Sequence, residues 1–382
     1  MHLYFRNINE AFHLLVSGVY SSEIKTEVTQ SRNGEVLVIP EPVTITYEYP
    51  RERVLFNRSR DCNPFFHLYE ALWMLAGRND VESVAYYASN MKNYSDNGKT
   101  FNGAYGHRWH NGGCWAKKNG YNLNQLDILI KHLKKDPHSR RAVLQMWNVE
   151  DDLLKIDNSK DVCCNTSCYF LITFVECSAC NGIGGDRAGT CRKCLGEKQT
   201  AHSLDMTVMN RSNDMIWGSL GANAVHFSFL QEYMADCLGL QVGVYNQISN
   251  NLHVYTDNWN PEEWLKEYKV PQQRTMFDSK PLQYKGDFTF TPLVKDKEVF
   301  DEEVKKFVDQ AHSNRDMKVH WQEPFLQNVA FTMNMAFKCH KDRDYKTAKT
   351  WMALVENDDW RIAGLNWINK RQKNWEAKNA SK

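Results

Sequence analysis

Asn63-Pro64 and Gly77 bracket a largely apolar segment whose only acid is Glu70. An asparagine side chain caps a helix, proline suits the first helical position because no partner awaits its missing N–H, and glycine closes the far end. Phe65, Leu68, Leu72 and Leu75 recur at helical spacing, which predicts a helix over 64–76. Glu70 has Phe66, Trp73 and Met74 as its neighbours one turn away. A carboxyl on such a face is paired, neutral or functional; the plainer alternative is a helix-edge glutamate that reaches water.

Composition bounds the rest. The 382 residues suffice for one large domain with additions or for two medium ones. Hydrophobic residues make up 42% and charged residues 24%, as in soluble globular proteins. A formal net charge of +1 excludes whole-molecule electrostatic binding to nucleic acid, so any anionic ligand is held by a local cluster. Met1 to Ser17 lacks a basic start followed by a long apolar core, and no apolar run reaches membrane-spanning length. A cytoplasmic protein without a membrane partner is expected. Its 11 cysteines then read as thiols or metal ligands rather than disulfides.

The remaining elements follow from pattern. Ser31-Arg32-Asn33-Gly34 is a turn, followed by a buried strand over Val36–Ile39 that Pro40 ends. Strands are predicted over Thr44–Tyr49, Arg141–Trp147, Cys168–Val175, Ser203–Met209 and Leu252–Tyr255, and helices over Leu123–Leu133 and Ala224–Leu238, the latter amphipathic. Residues 88–120 are rich in Asn, Gly, Tyr and Trp without periodicity, which predicts a long functional loop. Lys297–Ala311, Pro324–Lys338 and Asp344–Ala377 read as helices of an appended unit. The expected organisation is a catalytic domain over 1–295, an insert over 176–198 and a helical C-terminal extension over 296–382.

The insert carries Cys177, Cys180, Cys191 and Cys194 as two C-x-x-C pairs ten residues apart. Each pair bites a metal from a tight turn, and four thiolates suit tetrahedral zinc in a closed, structural site without chemistry of its own. The alternative is four unrelated free thiols. Arg187, Arg192 and Lys193 nearby read as an ordinary solvated surface.

Cys163-Cys164-Asn165-Thr166 precedes a strand, a place from which a thiol reaches a cavity edge. By itself Cys164 reads as structural. Ser139-Arg140-Arg141, Arg211-Ser212-Asn213-Asp214, Asn223 and His253-Val254-Tyr255 change that reading. Arginine forks beside a serine hydroxyl make a phosphate site, and guanidinium charge near a thiol lowers its pKa. Individually, Arg140 and Arg141 read as an exposed pair, Asn223 as a helix cap and His253 as a structural histidine.

Taken in order, these motifs resemble the thymidylate synthase and deoxypyrimidine hydroxymethylase family: Ser-Arg-Asn-Gly, a Glu in an apolar helix, Tyr-Gly-x-x-Trp, Ser-Arg-Arg with Trp-Asn, the Cys, Arg-Ser-x-Asp, Asn and His-x-Tyr. The resemblance spans residues 8–310. It implies an α/β (α+β) layered structure around a mixed, kinked sheet, in a homodimer that shares arginines across subunits. It further implies dUMP and 5,10-methylenetetrahydrofolate as substrates. Cys164 would add to carbon 6 of the pyrimidine, a covalent step that makes carbon 5 nucleophilic. Arg32, Arg211 and Ser212 would hold the phosphate within one subunit, with Arg140 and Arg141 reaching it from the other. His253 and Tyr255 would hold the sugar hydroxyl, Asn223 would read the pyrimidine edge, and Asp214 would meet the pterin. Tyr105 would help with the carbon 5 proton, and Glu70 would organise water and move protons.

Four departures from the family pattern stand out, and the last two bear on the product. Asn165 stands where typical synthases have His after the nucleophile. Arg211 to Asn223 carries one extra residue around Ser219–Ala222. Residues 88–97 lack the tryptophans that synthases place beside the cofactor, and the chain ends in Asn-Ala-Ser-Lys rather than a short apolar tail. Loss of shield and tail eases water entry, which favours 5-hydroxymethyl-dUMP over dTMP. Asparagine at position 223 favours uracil over cytosine, because an amide both donates and accepts. A folate-dependent one-carbon transferase is therefore expected, with a thymidylate synthase as the alternative. A dCMP hydroxymethylase or a non-catalytic nucleic-acid-binding scaffold comes after those.

Overall fold

A computed structural model describes residues 1–111, 120, 123–186, 189–268, 288–312 and 320–380. Its strands are β1 (His2–Phe5), β2 (Glu27–Ser31), β3 (Gly34–Ile39), β4 (Val43–Tyr47), β5 (Val143–Gln145), β6 (Asn165–Glu176), β7 (Gly185–Asp186), β8 (Gly189–Thr190), β9 (Gln199–Asn210), β10 (Asn213–Asp214), β11 (Gln241–Ser249) and β12 (Leu252–Tyr255). Its helices are α1 (Ile8–Tyr20), α2 (Pro64–Leu75), α3 (Val81–Tyr87), α4 (Tyr105–Asn111), α5 (Gln125–Lys135), α6 (Asn223–Leu238), α7 (Pro261–Lys266), α8 (Lys297–Ala311), α9 (Thr332–Lys341), α10 (Tyr345–Ala353) and α11 (Asp358–Ala380).

The bracketed apolar segment is α2. The Asn63 side-chain oxygen accepts the N–H groups of Phe65 (3.1 Å) and Phe66 (3.2 Å). Ten of the 12 residues of α2 are buried, because the helix has neighbours on both sides. One side meets α6. The other meets the C-terminal helices: the Tyr69 hydroxyl donates to the Val308 carbonyl (3.0 Å), and the Phe65 ring lies 5.4 Å from Phe337 and 5.3 Å from Trp367. The C-terminal helices thus share one hydrophobic core with the rest of the chain.

A six-stranded mixed sheet, in the order β1-β4-β11-β9-β6-β5, forms the layer beneath α6. The pairs β1–β4 and β11–β9 are parallel, and the others are antiparallel. Register shifts at Val242/Tyr245, Asn165/Ser167 and Thr173/Phe174 bend it, as extra residues in one strand of a pair do. A second sheet, β10-β12-β3-β2, carries much of the candidate site. The β7–β8 ribbon stands at the far end of the β6–β9 hairpin, where Glu176 pairs with Gln199. This is the α/β layered arrangement expected from the sequence.

Several local expectations need correction. The segment 88–120 is not wholly loop: Tyr105–Asn111 is helix α4. That helix crosses α2 so closely that a Cβ at Gly106 would collide with the Met74 carbonyl. It is pinned by Arg108, whose guanidinium donates to both carboxylate oxygens of buried Asp152 (2.9 and 3.2 Å). Residues 112–119 of the same segment lie outside the described residues, as does Arg187. The Asp344–Ala377 segment is two helices, α10 and α11, parted where the Asn357 side chain accepts the Thr291 N–H (2.7 Å). Helix α6 is not amphipathic. Thirteen of its 16 residues are buried, and its polar side chains are satisfied inside, as where Gln231 donates to the Leu204 carbonyl (2.8 Å). Strand β11 escaped notice because its inward residues, Tyr245, Gln247 and Ser249, are polar-bearing yet buried.

At the end of α6, Asp236 accepts the Val294 N–H (2.9 Å) that leads into the C-terminal helices. Burial, reinforced by Glu232, pushes its carboxyl up to about 7 from an ordinary 3.8. The folded chain therefore holds this proton more tightly than the unfolded chain. The associated stability is present in full below pH 3.8 and is lost progressively as pH rises to about 7. Asp236→Asn, which mimics the protonated form, should raise the Tm by an amount that grows from pH 4 to pH 7 and then levels. A shift independent of pH in thermal unfolding contradicts this.

Candidate active site

A cavity of about 540 Å³ lies against the second sheet, and its walls include Arg32, Trp147, Cys164, Arg211, Ser212, Asp214, His253 and Tyr255. Local pairing explains how chain-distant residues meet. Ser31 pairs with Gly34, leaving Arg32 and Asn33 as a two-residue hairpin loop. His253 and Tyr255 stand opposite Val38 and Val36 on β3, and a spacing of two puts both on one face. Asp214 pairs beside His253 through β10 and β12. Asn165 faces Asn210 across β6 and β9, and the Arg211 N–H then donates to the Cys164 carbonyl (2.9 Å). That register brings the thiol and the guanidinium together although the whole cysteine insert separates them in sequence.

The Cys164 thiol is half-buried. Arg211 Nη2 lies 3.7 Å from its sulfur and also donates to the Val162 carbonyl (3.0 Å), while Nε donates to the Cys163 carbonyl (2.8 Å). Arg211 and Arg32 both pull the thiol pKa down, as the sequence predicts, but burial outweighs them and the net direction is upward. The nearby Asp161 carboxylate adds to the rise. Arg32 donates to the carbonyls of Ser159 and Lys160 (both 2.9 Å), so its guanidinium is already engaged.

Asp214 also caps a wound segment, Met215–Ala222, by accepting the N–H groups of Ile216 and Trp217 (both 2.7 Å). Burial raises its pKa against the pull of the Trp217 N–H and of His253. Burial likewise lowers His253, whose Nδ1 lies 2.8 Å from Asn251 Oδ1. The stretch read as longer than the family pattern by one residue is irregular. Leu220 and Gly221 leave helical geometry, and the Asn223 N–H reaches back five residues to the Gly218 carbonyl. Asn223 is therefore not a side-chain cap. Its Nδ2 donates instead to Asn213 Oδ1 (3.0 Å). A Cβ at Gly218 would collide with Asn213 Oδ1, so glycine is what lets this pair form.

Trp217 and Arg60 were not singled out in the sequence. Trp217 is 54% exposed, and the buried Arg60 guanidinium lies 3.9 Å from its ring centroid. Residues 88–97 do lack tryptophan, but an aromatic surface beside Asp214 comes from a different element. The only local signal was a tryptophan three positions after Asp214.

Glu70, Tyr105 and Asn223 do not line the cavity. Glu70 Oε2 lies 3.0 Å from Nε2 of His226 on α6, and both side chains are buried. His67, edge-on to His226 at 6.5 Å, is pushed down to about 3 by burial and stays neutral. The Tyr105 hydroxyl is raised well above its ordinary value, by burial first and then by the thiols of Cys164 and Cys163. Tyr105 is thus within electrostatic reach of both thiols. Arg140 and Arg141 are exposed and are not among the residues that line this cavity.

The four cysteines of the insert form one cluster, with all sulfurs within 4.8 Å of one another. Cys177 and Cys191 are 3.9 Å apart and Cys180 and Cys194 3.7 Å, close to the roughly 3.8 Å edge of a tetrahedron with about 2.3 Å metal–sulfur bonds. The Gly184 N–H points at the Cys180 sulfur (3.3 Å), as thiolate ligands attract N–H donors. The donor set and spacing fit a tetrahedral metal ion.

Residues 26–308 match the family model described as thymidylate synthase. The chain belongs to the thymidylate synthase family. Over 380 residues it is 37% identical to the deoxyuridylate hydroxymethyltransferase of Pseudomonas phage M6, covering 98% of this chain and 95% of that protein. The deoxyuridylate hydroxymethyltransferase of Bacillus phage SP01 is 36% identical over 250 residues, 64% of this chain and 57% of that one. A thymidylate synthase of Buchnera aphidicola is 24% identical over 205 residues, 52% of this chain and 63% of that one. Among the described residues no helix is long and apolar enough to cross a membrane.

Because burial dominates at Cys164, its alkylation by iodoacetamide should show a midpoint above the ordinary thiol range. Arg211→Ala should move that midpoint higher still. Mass spectrometry of the Cys164 peptide across pH measures both, and a midpoint that falls in the variant contradicts the assigned charge effect.

Proposed function

We propose that this family member transfers a one-carbon unit to carbon 5 of dUMP and completes the reaction with water, giving 5-hydroxymethyl-dUMP. The observation that carries this reading is the near full-length likeness to a deoxyuridylate hydroxymethyltransferase. The cavity at Cys164 supplies its chemistry.

Cys164 adds to carbon 6, and the Arg211 charge beside it opposes the burial that otherwise keeps the thiol protonated. Arg211, Arg32 and Ser212 bind the nucleotide phosphate, which replaces the carbonyls that now occupy the arginines. His253 and Tyr255 orient the sugar. Asn223 reads the pyrimidine edge, where its amide matches the N–H and carbonyl of uracil. Tyr105 stands next to Cys164 and handles the carbon 5 proton, and Glu70, held against His226, moves protons and orders water.

5,10-Methylenetetrahydrofolate supplies the one-carbon unit when bound. Asp214 would hold its pterin. The exposed Trp217 face, backed by a buried Arg60 whose Nε has no partner among the described residues, fits a flat aromatic ligand there. The zinc reading of the four-cysteine cluster is structural, with every ligand position filled by protein.

A homodimer accounts for the outer face of the sheet. Along β6, Cys168, Phe170 and Ile172 turn inward while Tyr169 (45% exposed), Leu171 (49%) and Val175 (42%) turn out. A two-fold contact covers such a face. A groove beside it shares Trp147 and Arg211 with the active cavity, an opening through which the partner's Arg140 and Arg141 reach the phosphate.

Incubation with carbon-5-tritiated dUMP and methylenetetrahydrofolate should release tritium and yield 5-hydroxymethyl-dUMP without the absorbance of dihydrofolate. Dihydrofolate formation turns the assignment to a thymidylate synthase, and no release with either pyrimidine nucleotide removes the enzyme reading. Cys164→Ser should abolish release. Separately, metal analysis should find one zinc ion per chain, lost in Cys177→Ser; unchanged zinc in that variant refutes the ligand set.

A further inference from the structure

Asn223 can present either end of its amide to a pyrimidine, and the two ends recognise different bases. An acceptor oxygen suits the N3–H of uracil, whereas an N–H suits the bare N3 of cytosine. A residue that decides which end faces the base therefore decides the substrate, without touching it.

The buried surroundings of Asn223 contain such a device. Asn223 Nδ2 donates to Asn213 Oδ1 (3.0 Å). Asn213 Nδ2 donates in turn to Gln247 Oε1 (2.8 Å) and Ser249 Oγ (3.2 Å). Gln247 Nε2 donates to the Tyr245 hydroxyl (2.9 Å). Asn213 is 3% exposed, Gln247 and Tyr245 are fully buried and Ser249 is 1% exposed, so water does not replace the links beyond half-buried Asn223. The backbone is fixed as well, since the Asn213 N–H donates to the Asn251 carbonyl (2.9 Å) and β11 is held between β4 and β9. Gly218 leaves the space in which Asn213 and Asn223 meet.

In this relay no single amide turns without setting two oxygens, or two N–H groups, face to face in a dry interior. The reverse order requires all three amides and the Tyr245 hydroxyl to invert together. We propose that Asn213, through Gln247 and Tyr245, is a specificity-determining positioning residue that holds the Asn223 amide with its oxygen free for the N3–H of uracil. The proposal rests on the reading of dUMP as substrate. It adds that the preference lies in the relay and not in Asn223 alone. In the sequence Asn213 is the variable residue of Arg-Ser-x-Asp, and β11 carries no plain strand pattern.

The test is the ratio of kcat/KM for dUMP to that for dCMP, read by tritium release from carbon 5 of each nucleotide. Asn213→Ala frees the Asn223 amide and should lower the ratio by about 10-fold or more. Asn213→Asp keeps an acceptor facing Asn223 Nδ2, with Ser249 and an inverted Gln247 as its donors, and should keep the ratio within about 3-fold of wild type. Gln247→Leu acts two links from the base and should also lower the ratio, which keeps the test open if the alanine variant fails to fold. Loss of activity in equal proportion for both nucleotides overturns the relay, because mere structural damage acts that way. A wild type active on dUMP whose ratio is unmoved by Asn213→Ala or Gln247→Leu removes the relay alone. A wild type that prefers dCMP, or turns over neither nucleotide, removes the dUMP reading and the relay with it.

Discussion

Helix α2 is buried against α6 on one side and against the C-terminal helices on the other, and the placement of the candidate site depends on that double burial. Phe65, Leu68, Tyr69 and Leu72 face Phe307, Ala330 and Met333 of the C-terminal helices, and Gly106 lets α4 cross where α2 leaves no room for a side chain. Because α4 is seated there, the Tyr105 ring packs 5.8 Å from Phe227 of α6 and its buried hydroxyl feels the charge of Cys164. Because α6 is seated there, Glu70 meets His226 rather than water. A carboxyl in so apolar a place costs several kcal/mol unless it finds a polar partner, and the histidine of the facing helix is that partner.

The second organising constraint is strand register. Cys164 and Arg211 are separated by the whole β6–β9 hairpin and its metal-type ribbon, yet the Asn165–Asn210 pair closes the gap at the hairpin's base. An insertion at the far end of a hairpin lengthens the chain without moving the residues at its mouth. After Arg211 the chain makes one wide turn at Leu220–Gly221 that leaves Asn223 in reach of Asn213.

Electrostatics at the site is a balance that charge counting alone misjudges. Two arginines near Cys164 suggest an acidic thiol, but the same enclosure that shields the reaction also penalises the thiolate, and in the free chain burial is the larger effect. The arginines are meanwhile occupied by backbone carbonyls of residues 159–163. On the proposed function, a bound phosphate exchanges those neutral carbonyls for a charged partner beside Cys164.

Much was legible in the residues. Capping and periodicity located α2 and its single acid, the paired C-x-x-C units located the metal-type cluster, and the Ser-Arg-Asn-Gly and His-x-Tyr segments located two walls of the cavity. These signals are local: they depend on caps, turns and side-chain period, which a chain carries with it. The sequence was silent where burial reverses the usual meaning of polarity. Strand β11 hides inward Tyr245, Gln247 and Ser249 behind an alternation that reads as solvent-facing, and α6 looks amphipathic because its interior glutamine, glutamate and histidine resemble a wet face. Only the tertiary structure supplies their partners, so only it decides that Trp217 rather than the 88–97 segment offers an aromatic face beside Asp214, and that Asn223 answers to Asn213 instead of capping a helix. The sequence by itself determined which residue types were available for the chemistry; packing determined which of them are dry, and dryness is what gives a hydrogen bond its direction and a charge its cost.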